Sequence, residues 1–438
     1  MSEKTVQVKL VRWSPLKASE TVQAFLNRPA FAPEAESKAA AVLADIKAKG
    51  DEAVARYALE FDHVSLAPAR FLVTPEERQA AIDSIDSEFK RSATETHKRI
   101  VRFGQNGLRK DWTMPTPKGG VLGEQFVPLA RVGTYIPGGA APLASTALMT
   151  VALARVAGVL EVVACTPASK DGTVNPYLLY ALDLAGATEI YRIGGIQAIG
   201  AMAYGTETIR KVQKIVGPGG PYVTAAKKLV YGEVDLDMVA GPSEIAVLAD
   251  DTAPAEYVAA DLLSQAEHGT GYEKSLLVTP SQKLAEAVQK QLIKQVETLS
   301  RKEAIEKVLE NGTLLVVVDN LDVGMELCNR FAPEHLEIMT EEPRRWVKKV
   351  KTAGAVFVGS STPECAGDFV AGPSHVLPTG GTAAVFSGLT VDSFRKRTSV
   401  ISFTRADLAD ALPVIEAFGR VEQLDAHTRS AKIRFEKM

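Results

Sequence analysis

The chain has 438 residues, 46% hydrophobic and 24% charged, with 50 Lys+Arg against 53 Asp+Glu and a net charge of −3. At ~150 residues per domain the length allows about three domains, and a near-neutral balance with neither sign gathered in blocks argues against nucleic-acid and anionic-membrane partners. Three dispersed cysteines, Cys165, Cys328 and Cys365, with no Cys-x-x-Cys pair, argue against a disulfide framework and a thiolate zinc knuckle and point to a reducing, cytoplasmic setting.

The start, MSEKTVQVKLVRW, lacks the apolar core of a leader, and the most apolar stretch, Ala147 to Cys165, is broken by Arg155 and Glu161 before the ~18–20 residues a membrane span needs. Residues 34–60 and 75–106 carry helix-period apolar residues among charges, opened by Pro33 before Glu34 and by Thr74-Pro75-Glu76. From about Gly119, short β-branched runs alternate with helical stretches: Glu161–Ala164, Glu189–Ile193, Lys214–Val216, Glu244–Ala249, Ser275–Val278 and Thr313–Val318. This alternation predicts βαβ units and mostly parallel sheets. The units exceed what one small open sheet holds, and a charged helical insert at 281–311 interrupts them.

Beyond about residue 380 come a strand, Ser399–Phe403, and helical stretches Ala406–Phe418 and Val421–Ala431, a tail too short for a core of its own. The expected organisation is α/β: a helical N-terminal region (1–118), two Rossmann-like parallel-sheet lobes (119–245, with glycine-rich cofactor turns, and 246–380), and a small helical tail (381–438) packed on another domain or subunit.

Six histidines occur, of which His63 in EFDH and His97 in ETHKR read as surface residues. In AADLLSQAEHG (259–269), Gln265 and His268 stand one turn apart on a helix closed by Gly269. An amide oxygen and an imidazole at that spacing can hold adjacent positions on a metal ion; the alternative is a capping or surface pair, and Glu267 is off that face. FAPEHLEI (331–338) sets Glu334 beside His335, an acid and an imidazole that titrate in different ranges and can move protons in turn, or simply pair at an N-terminal turn. CAGDFVAGPSHVLPTGG (365–381) places Asp368, an oxygen ligand for a cation, and His375 on a shaped Gly/Pro loop, which His375 can equally brace by hydrogen bonding. VEQLDAHTRSAKIR (421–434) carries Glu422 and His427, five apart and so on different helix faces, either a solvated tail or a ligand and a metal contact.

Two glycine-rich turns, TYIPGGAAPLAST (134–146) and KIVGPGGPYVTAAKK (214–228), follow strand-like runs and open helical stretches. Such a turn suits a phosphate, because backbone N–H groups and the helix dipole point at it, although a plain strand-to-helix turn reads the same. IGGIQAIG (193–200) lacks the GxGxxG spacing, and no GxxxxGK[ST] occurs.

Taken together, VAGPSEI, DLLSQAEHG, FAPEHLEI, GDFVAGPSHVLPT and EQLDAH, in that order from about residue 34 to His427, resemble the histidinol dehydrogenase family. The resemblance implies one Zn²⁺ per subunit held by Gln265, His268, Asp368 and His427, a ligand set with one anion that leaves the ion an effective Lewis acid. It also implies a homodimer with shared active sites, the tail delivering His427 to the partner subunit. The implied reaction is the four-electron oxidation of L-histidinol to L-histidine through the aldehyde, with two NAD⁺ reduced in succession. His335 would then be the general base, and Glu334 would activate the water that attacks the aldehyde. Ser243, Gln265, His268, His335, Asp368, Glu422 and His427 match substrate-contacting positions, and Tyr135, Gln197 and Gly220 match cofactor-contacting ones. Gly220 departs from the family's usual Asn in GPGN, removing a side-chain hydrogen bond of ~1 kcal/mol.

Overall fold

A computed structural model describes residues 6–17, 19–28, 33–138 and 142–436. In chain order its strands are β1 (Lys9–Arg12), β2 (Trp112–Pro115), β3 (Val121–Pro128), β4 (Arg131–Tyr135), β5 (Glu161–Cys165), β6 (Glu189–Tyr191), β7 (Lys214–Val216) and β8 (Asp235–Leu236). They are followed by β9 (Glu244–Ala249), β10 (Lys274–Thr279), β11 (Thr313–Val317), β12 (His335–Met339), β13 (Ala355–Val358) and β14 (Arg395–Ser402). A five-stranded sheet runs β6-β5-β4-β7-β8 and a six-stranded sheet β1-β11-β10-β9-β12-β13. Every pairing in both is parallel, so the α/β class with two parallel-sheet lobes holds.

Two compact units form: residues up to Gly107 with Leu129–Phe394, which contains both parallel sheets, and Leu108–Pro128 with the chain from Arg395. In the second unit β14 pairs antiparallel with β3, from Arg395 opposite Pro128 to Ser402 opposite Val121. Residues 119–128 therefore belong with the tail rather than with the first lobe, because β3 needs β14 and β2 as its ladder partners. The N-terminal region is not purely helical either, since β1 extends the six-stranded sheet beside β11. The lobe boundary expected at 245/246 falls just inside β9.

The sheets grow from the runs that the sequence marks as β-branched: β9 reads EIAVLA and β11 TLLVV, buried throughout, as strands covered on both faces must be. The helical run 34–60 appears as Pro33–Asp62, bent at Gly50 (φ 52°), where the Asp51 N–H donates to Glu207 Oε2 at 2.8 Å. The run 75–106 divides into helices Pro75–Ser84 and Ser87–Gly107. Ile85 is extended there, and the Asp86 carboxylate takes the Phe89 N–H at 2.8 Å, starting the second helix afresh.

Candidate active site

Strand β4 lies between β5 and β7, and the chain adds β5 and β6 on one side before crossing to β7 and β8 on the other. The carboxyl ends of β4 and β7 therefore flank the point where strand order reverses, where open parallel sheets take ligands. Both glycine-rich turns stand there; Gly139, Ala140 and Ala141 of the first lie outside the described residues. In the second, Gly217 has φ 114°, and a Cβ on it would lie 2.1 Å from the Tyr135 carbonyl oxygen, so only glycine lets the turn press against β4. The Gly217 N–H donates to Asp237 Oδ2 at 2.7 Å, and Lys227 Nζ donates to its carbonyl at 2.8 Å. Lys227 and Asp237 themselves pair at 2.5 Å, both buried.

The six-stranded sheet presents its opposite end. Strands β9 and β12 are neighbours and begin at Glu244 and His335, so Ser243, Glu334 and His335 stand at amino ends of central strands. The backbone of one residue organises the pair: the Glu244 N–H donates to Glu334 Oε2 at 2.9 Å, and the Glu244 carbonyl lies 3.1 Å from His335 Nδ1. Gln265 Oε1 lies 3.0 Å from the same Nδ1. Two acceptors on Nδ1 require that it carry the proton, which leaves Nε2 with the lone pair. Burial pushes the His335 imidazolium down to about 4, against the charge of Asp368, so the ring is neutral near pH 7. Burial also raises the Glu334 carboxyl well above the ordinary range; the Glu244 N–H opposes this, and the nearby carboxyls of Glu244, Asp368 and Glu364 reinforce it.

Glu244 is fixed from the far side by Arg28, whose Nη2 donates to Oε2 at 3.0 Å.

Gln265 is buried on the helix Ala255–Ala266, and its Nε2 has no partner. His268, just past that helix, is exposed. Asp368 lies on the helix Glu364–Phe369, 3.5 Å from His375 Nδ1, while His375 Nε2 lies 2.9 Å from Thr146 Oγ1. Burial would raise the Asp368 carboxyl, but the His375 hydrogen bond and the charges of His375, His335 and His268 hold it well below its usual range. Ligand atoms of His335, Glu364 and Asp368 all lie within 4.8 Å of one another, the one such trio among the described residues. Of the four ligands implied by the sequence, Asp368 alone is in this trio; Gln265 touches it through His335. Glu422 and His427 are exposed in the second unit.

A cavity of about 390 Å³ gathers Ser243, His268, Glu334, His335, Asp368 and His375, with Gly220 on its wall. Gly138 and Gly220 also line a second cavity of about 540 Å³ with Tyr135, Asp62 and Thr166. Gln197 is not on that wall: it is buried behind it, donating from Nε2 to Asp62 Oδ2 at 2.8 Å. Tyr135 Oη accepts the Gly195 N–H at 3.1 Å, and burial pushes its hydroxyl pKa up. A Cβ on Gly220 would meet nothing within 4 Å.

The residues fit a divalent cation and a dinucleotide in distinct ways. His268 and Asp368 offer an imidazole and one carboxylate on the wall of one cavity, Gln265 offers a neutral oxygen against His335, which lines the same cavity, and the orphaned Gln265 Nε2 and Glu364 Oε1 are buried polar atoms without a partner. Thr166 Oγ1 is a further orphan on the wall of the larger cavity. Sequence reasoning missed Glu244, Glu364, Arg28 and Asp62. Glu364, four residues before Asp368 and so on the same helix face, was available from spacing; Arg28 and Asp62 reach the site only through the fold.

The chain matches the model of the histidinol dehydrogenase family over residues 27–435. It is 48% identical over 398 residues to histidinol dehydrogenase of Heliobacterium mobile, covering 91% of this chain and 93% of that one. To the enzyme of Lactococcus lactis it is 42% identical over 423 residues, covering 96% and 98%. The crystal structure of histidinol dehydrogenase from Elizabethkingia anophelis superposes with a TM-score of 0.92 at 35% identity, covering 98% of each chain.

Proposed function

The chain belongs to the histidinol dehydrogenase family, and on that premise we propose that it is a zinc- and NAD-dependent enzyme that oxidises L-histidinol to L-histidine through the aldehyde, the last step of histidine biosynthesis. The reaction removes four electrons as two hydrides, consumes one water and releases three protons. The observation that carries the reading is the Glu244 peptide, which holds a neutral, oriented imidazole and a buried carboxyl side by side at the wall of one cavity.

His335 Nε2 takes the proton from the substrate hydroxyl, and its Nδ1–H stays on the Glu244 and Gln265 oxygens throughout, so the ring does not turn over between steps. Glu334 receives a proton from the water that adds to the aldehyde carbon. Its raised pKa makes it a stronger base than an exposed glutamate when ionised. His335 serves again on the hydrated aldehyde. Zn²⁺, held by Gln265, His268, Asp368 and His427, would supply Lewis acidity and fix the amine and imidazole of the substrate. Ser243 and Glu422 would complete the substrate contacts. NAD⁺, when bound, would supply the hydride acceptor; Tyr135 and Gly220 would line its side of the site, with Gln197 behind them.

A homodimer with shared sites, in which the tail brings Glu422 and His427 to the partner, is part of the same reading. It is supported by large apolar side chains of the second unit left in water, among them Ile401 at 71%, Phe418 at 62% and Val421 at 74% exposure. A cytoplasmic location accords with buried, free Cys165 and Cys328. No helix among the described residues is long and apolar enough to cross a membrane.

The test is NADH formed per L-histidinol consumed, run to completion with excess NAD⁺, before and after chelation. The expected result is two NADH per substrate, lost on chelation and restored by Zn²⁺. No NADH from zinc-loaded protein would overturn histidinol as the substrate in favour of another polar alcohol.

A further inference from the structure

Dinucleotide-binding sheets ordinarily place a carboxylate at the end of the second strand, where it accepts hydrogen bonds from the adenosine ribose. Here the strand after the first glycine turn, β5, ends at Cys165 with Thr166 next in the chain, and its one carboxylate, Glu161, is at the opposite end. One reaches the same cavity from outside the sheet. Asp62 is the last residue of the helix Pro33–Asp62 and lines the 540 Å³ cavity with Tyr135, Thr166 and Gly220.

Nothing about its own helix favours an acid there. A carboxylate at a helix C-terminus sits against the negative end of the dipole, and the last turn holds no basic residue to offset it. His63 follows with φ 57°, a left-handed turn that ends the helix on Asp62. Gln197 then orients the side chain, donating from Nε2 to Oδ2 at 2.8 Å, the Gly194 N–H donates to the same carboxylate, and the residue lines the cavity. Thr166 Oγ1, on the same wall, is buried without a partner.

The position within the cavities says which half of a dinucleotide this carboxylate meets. The nicotinamide must stand over the substrate carbon in the 390 Å³ cavity that holds His335 and Asp368. The two cavities join at Gly138 and Gly220, where the turn opens the helix Pro221–Val230 toward the phosphates. The adenosine half is left for the cavity that contains Asp62.

We propose that Asp62 accepts the adenosine ribose hydroxyls of NAD and excludes NADP, with Gln197 acting on the cofactor through Asp62 as a positioning residue. The proposal rests on the NAD-dependent reading above. A carboxylate that accepts from a 2′-hydroxyl offers no donor to a 2′-phosphate and repels its charge.

The test measures dissociation constants for NAD, 2′-deoxy-NAD and NADP by calorimetry on zinc-loaded, full-length protein, with wild type, Asp62→Asn and Asp62→Ala. Wild type is expected to bind 2′-deoxy-NAD and NADP each about tenfold or more weakly than NAD, the size of one lost charge-assisted hydrogen bond. Asp62→Ala should weaken NAD about tenfold and shrink the NADP-to-NAD ratio by a similar factor, with Asp62→Asn between the two and the dissociation constant for L-histidinol unchanged. A merely structural role for Asp62 would not move that ratio. The wild-type comparison of NAD with 2′-deoxy-NAD stands even if both variants misfold, and equal affinities there would overturn the proposal. Wild type that binds NAD while both variants keep its affinity and ratio would overturn the Asp62 assignment alone. Wild type that binds neither dinucleotide would overturn the NAD reading itself.

Discussion

The turn that follows β7 is held by a buried ion pair, and breaking that pair is expected to cost more than any surface ion pair in the molecule. Lys227 Nζ bonds the Gly217 carbonyl at 2.8 Å and Asp237 Oδ1 at 2.5 Å, while Asp237 Oδ2 takes the Gly217 N–H at 2.7 Å. Both side chains are almost wholly out of water, at 3% and 0% exposure. Removing one partner leaves an uncompensated buried charge, for which ~3–5 kcal/mol is usual. Lys227→Met should fall at the lower end, ~3 kcal/mol, because Asp237 keeps two peptide donors, from Gly217 and Met238. Asp237→Asn should fall nearer ~4–5 kcal/mol, because the buried ammonium is left with neutral acceptors alone and the amide cannot accept from both Lys227 and the Gly217 N–H without presenting its NH₂ to one of them. The double variant Lys227→Met/Asp237→Asn carries no buried charge and should cost less than the sum by ~2–3 kcal/mol. Urea unfolding followed by fluorescence gives the cycle, and NAD titration of the same proteins reports the turn. Singles that add within ~0.5 kcal/mol in the double would refute the argument that the pair acts as a unit.

Glu334→Gln should slow turnover at the aldehyde-hydration step while NAD affinity stays within twofold, about 0.4 kcal/mol; unchanged turnover across pH 6–9 would remove Glu334 from the mechanism. Asp368→Ala and Gln265→Ala should each lose bound zinc, read by elemental analysis after dialysis, and full occupancy in both would dismiss these ligands. Gly220→Asn should fold as wild type, since a Cβ there meets nothing within 4 Å, and should tighten NAD about fivefold for a hydrogen bond of ~1 kcal/mol; looser binding would show that the turn uses its backbone alone. The Arg131 hydrogen bond depresses Glu189 from 4.5 to about 2, so its contribution is complete above about pH 4.5 and is lost as pH falls toward 2. The shift corresponds to ~3 kcal/mol, reduced to ~1–2 for a half-exposed group. The melting-temperature gap between wild type and Glu189→Gln should therefore narrow by about half between pH 6 and pH 3 and close only toward pH 2, and a gap constant with pH would assign the cost to packing.

The parallel sheets were legible because burial on both faces leaves short, mostly apolar β-branched runs, with charges only at their ends in β7 and β9. Lys214–Val216 and Glu244–Ala249 coincide with β7 and β9 to the residue. β1 was not legible: KLVR is short and half exposed, and it is a strand only because β11 offers an unpaired edge. Nor was β3, whose residues fall within the span 119–245 expected for the first lobe and which is a strand because β14, some 270 residues later, pairs with it. In the site, adjacency in sequence exposed Glu334 and His335, and helix spacing exposed Gln265 and His268. The peptide of Glu244 left no trace, because a backbone N–H and C=O carry no residue type. Asp62 was hidden by its neighbourhood: EFDH looks like the end of a surface helix, and only the packing of that helix near the ends of β4 and β5 turns the carboxylate inward.

The two lobes contribute by different rules, and this explains where their precision comes from. The five-stranded sheet uses carboxyl ends and glycine turns, where the proposed NAD-dependent reading has the cofactor enter and leave twice in each reaction. The six-stranded sheet uses amino ends, where the preceding residues are already committed to the ladder. The Ser243 carbonyl accepts from Lys274 N at 3.2 Å and the Glu334 carbonyl from Ala355 N at 2.9 Å. Glu334 and His335 are thus pinned from both sides, by β9 through Glu244 and by β13 through Ala355, and neither depends on a loop for its position. If His335 serves twice as base, as proposed, it gains from such rigidity, since a shift of about 1 Å at the reacting atoms can cost ~100-fold in rate.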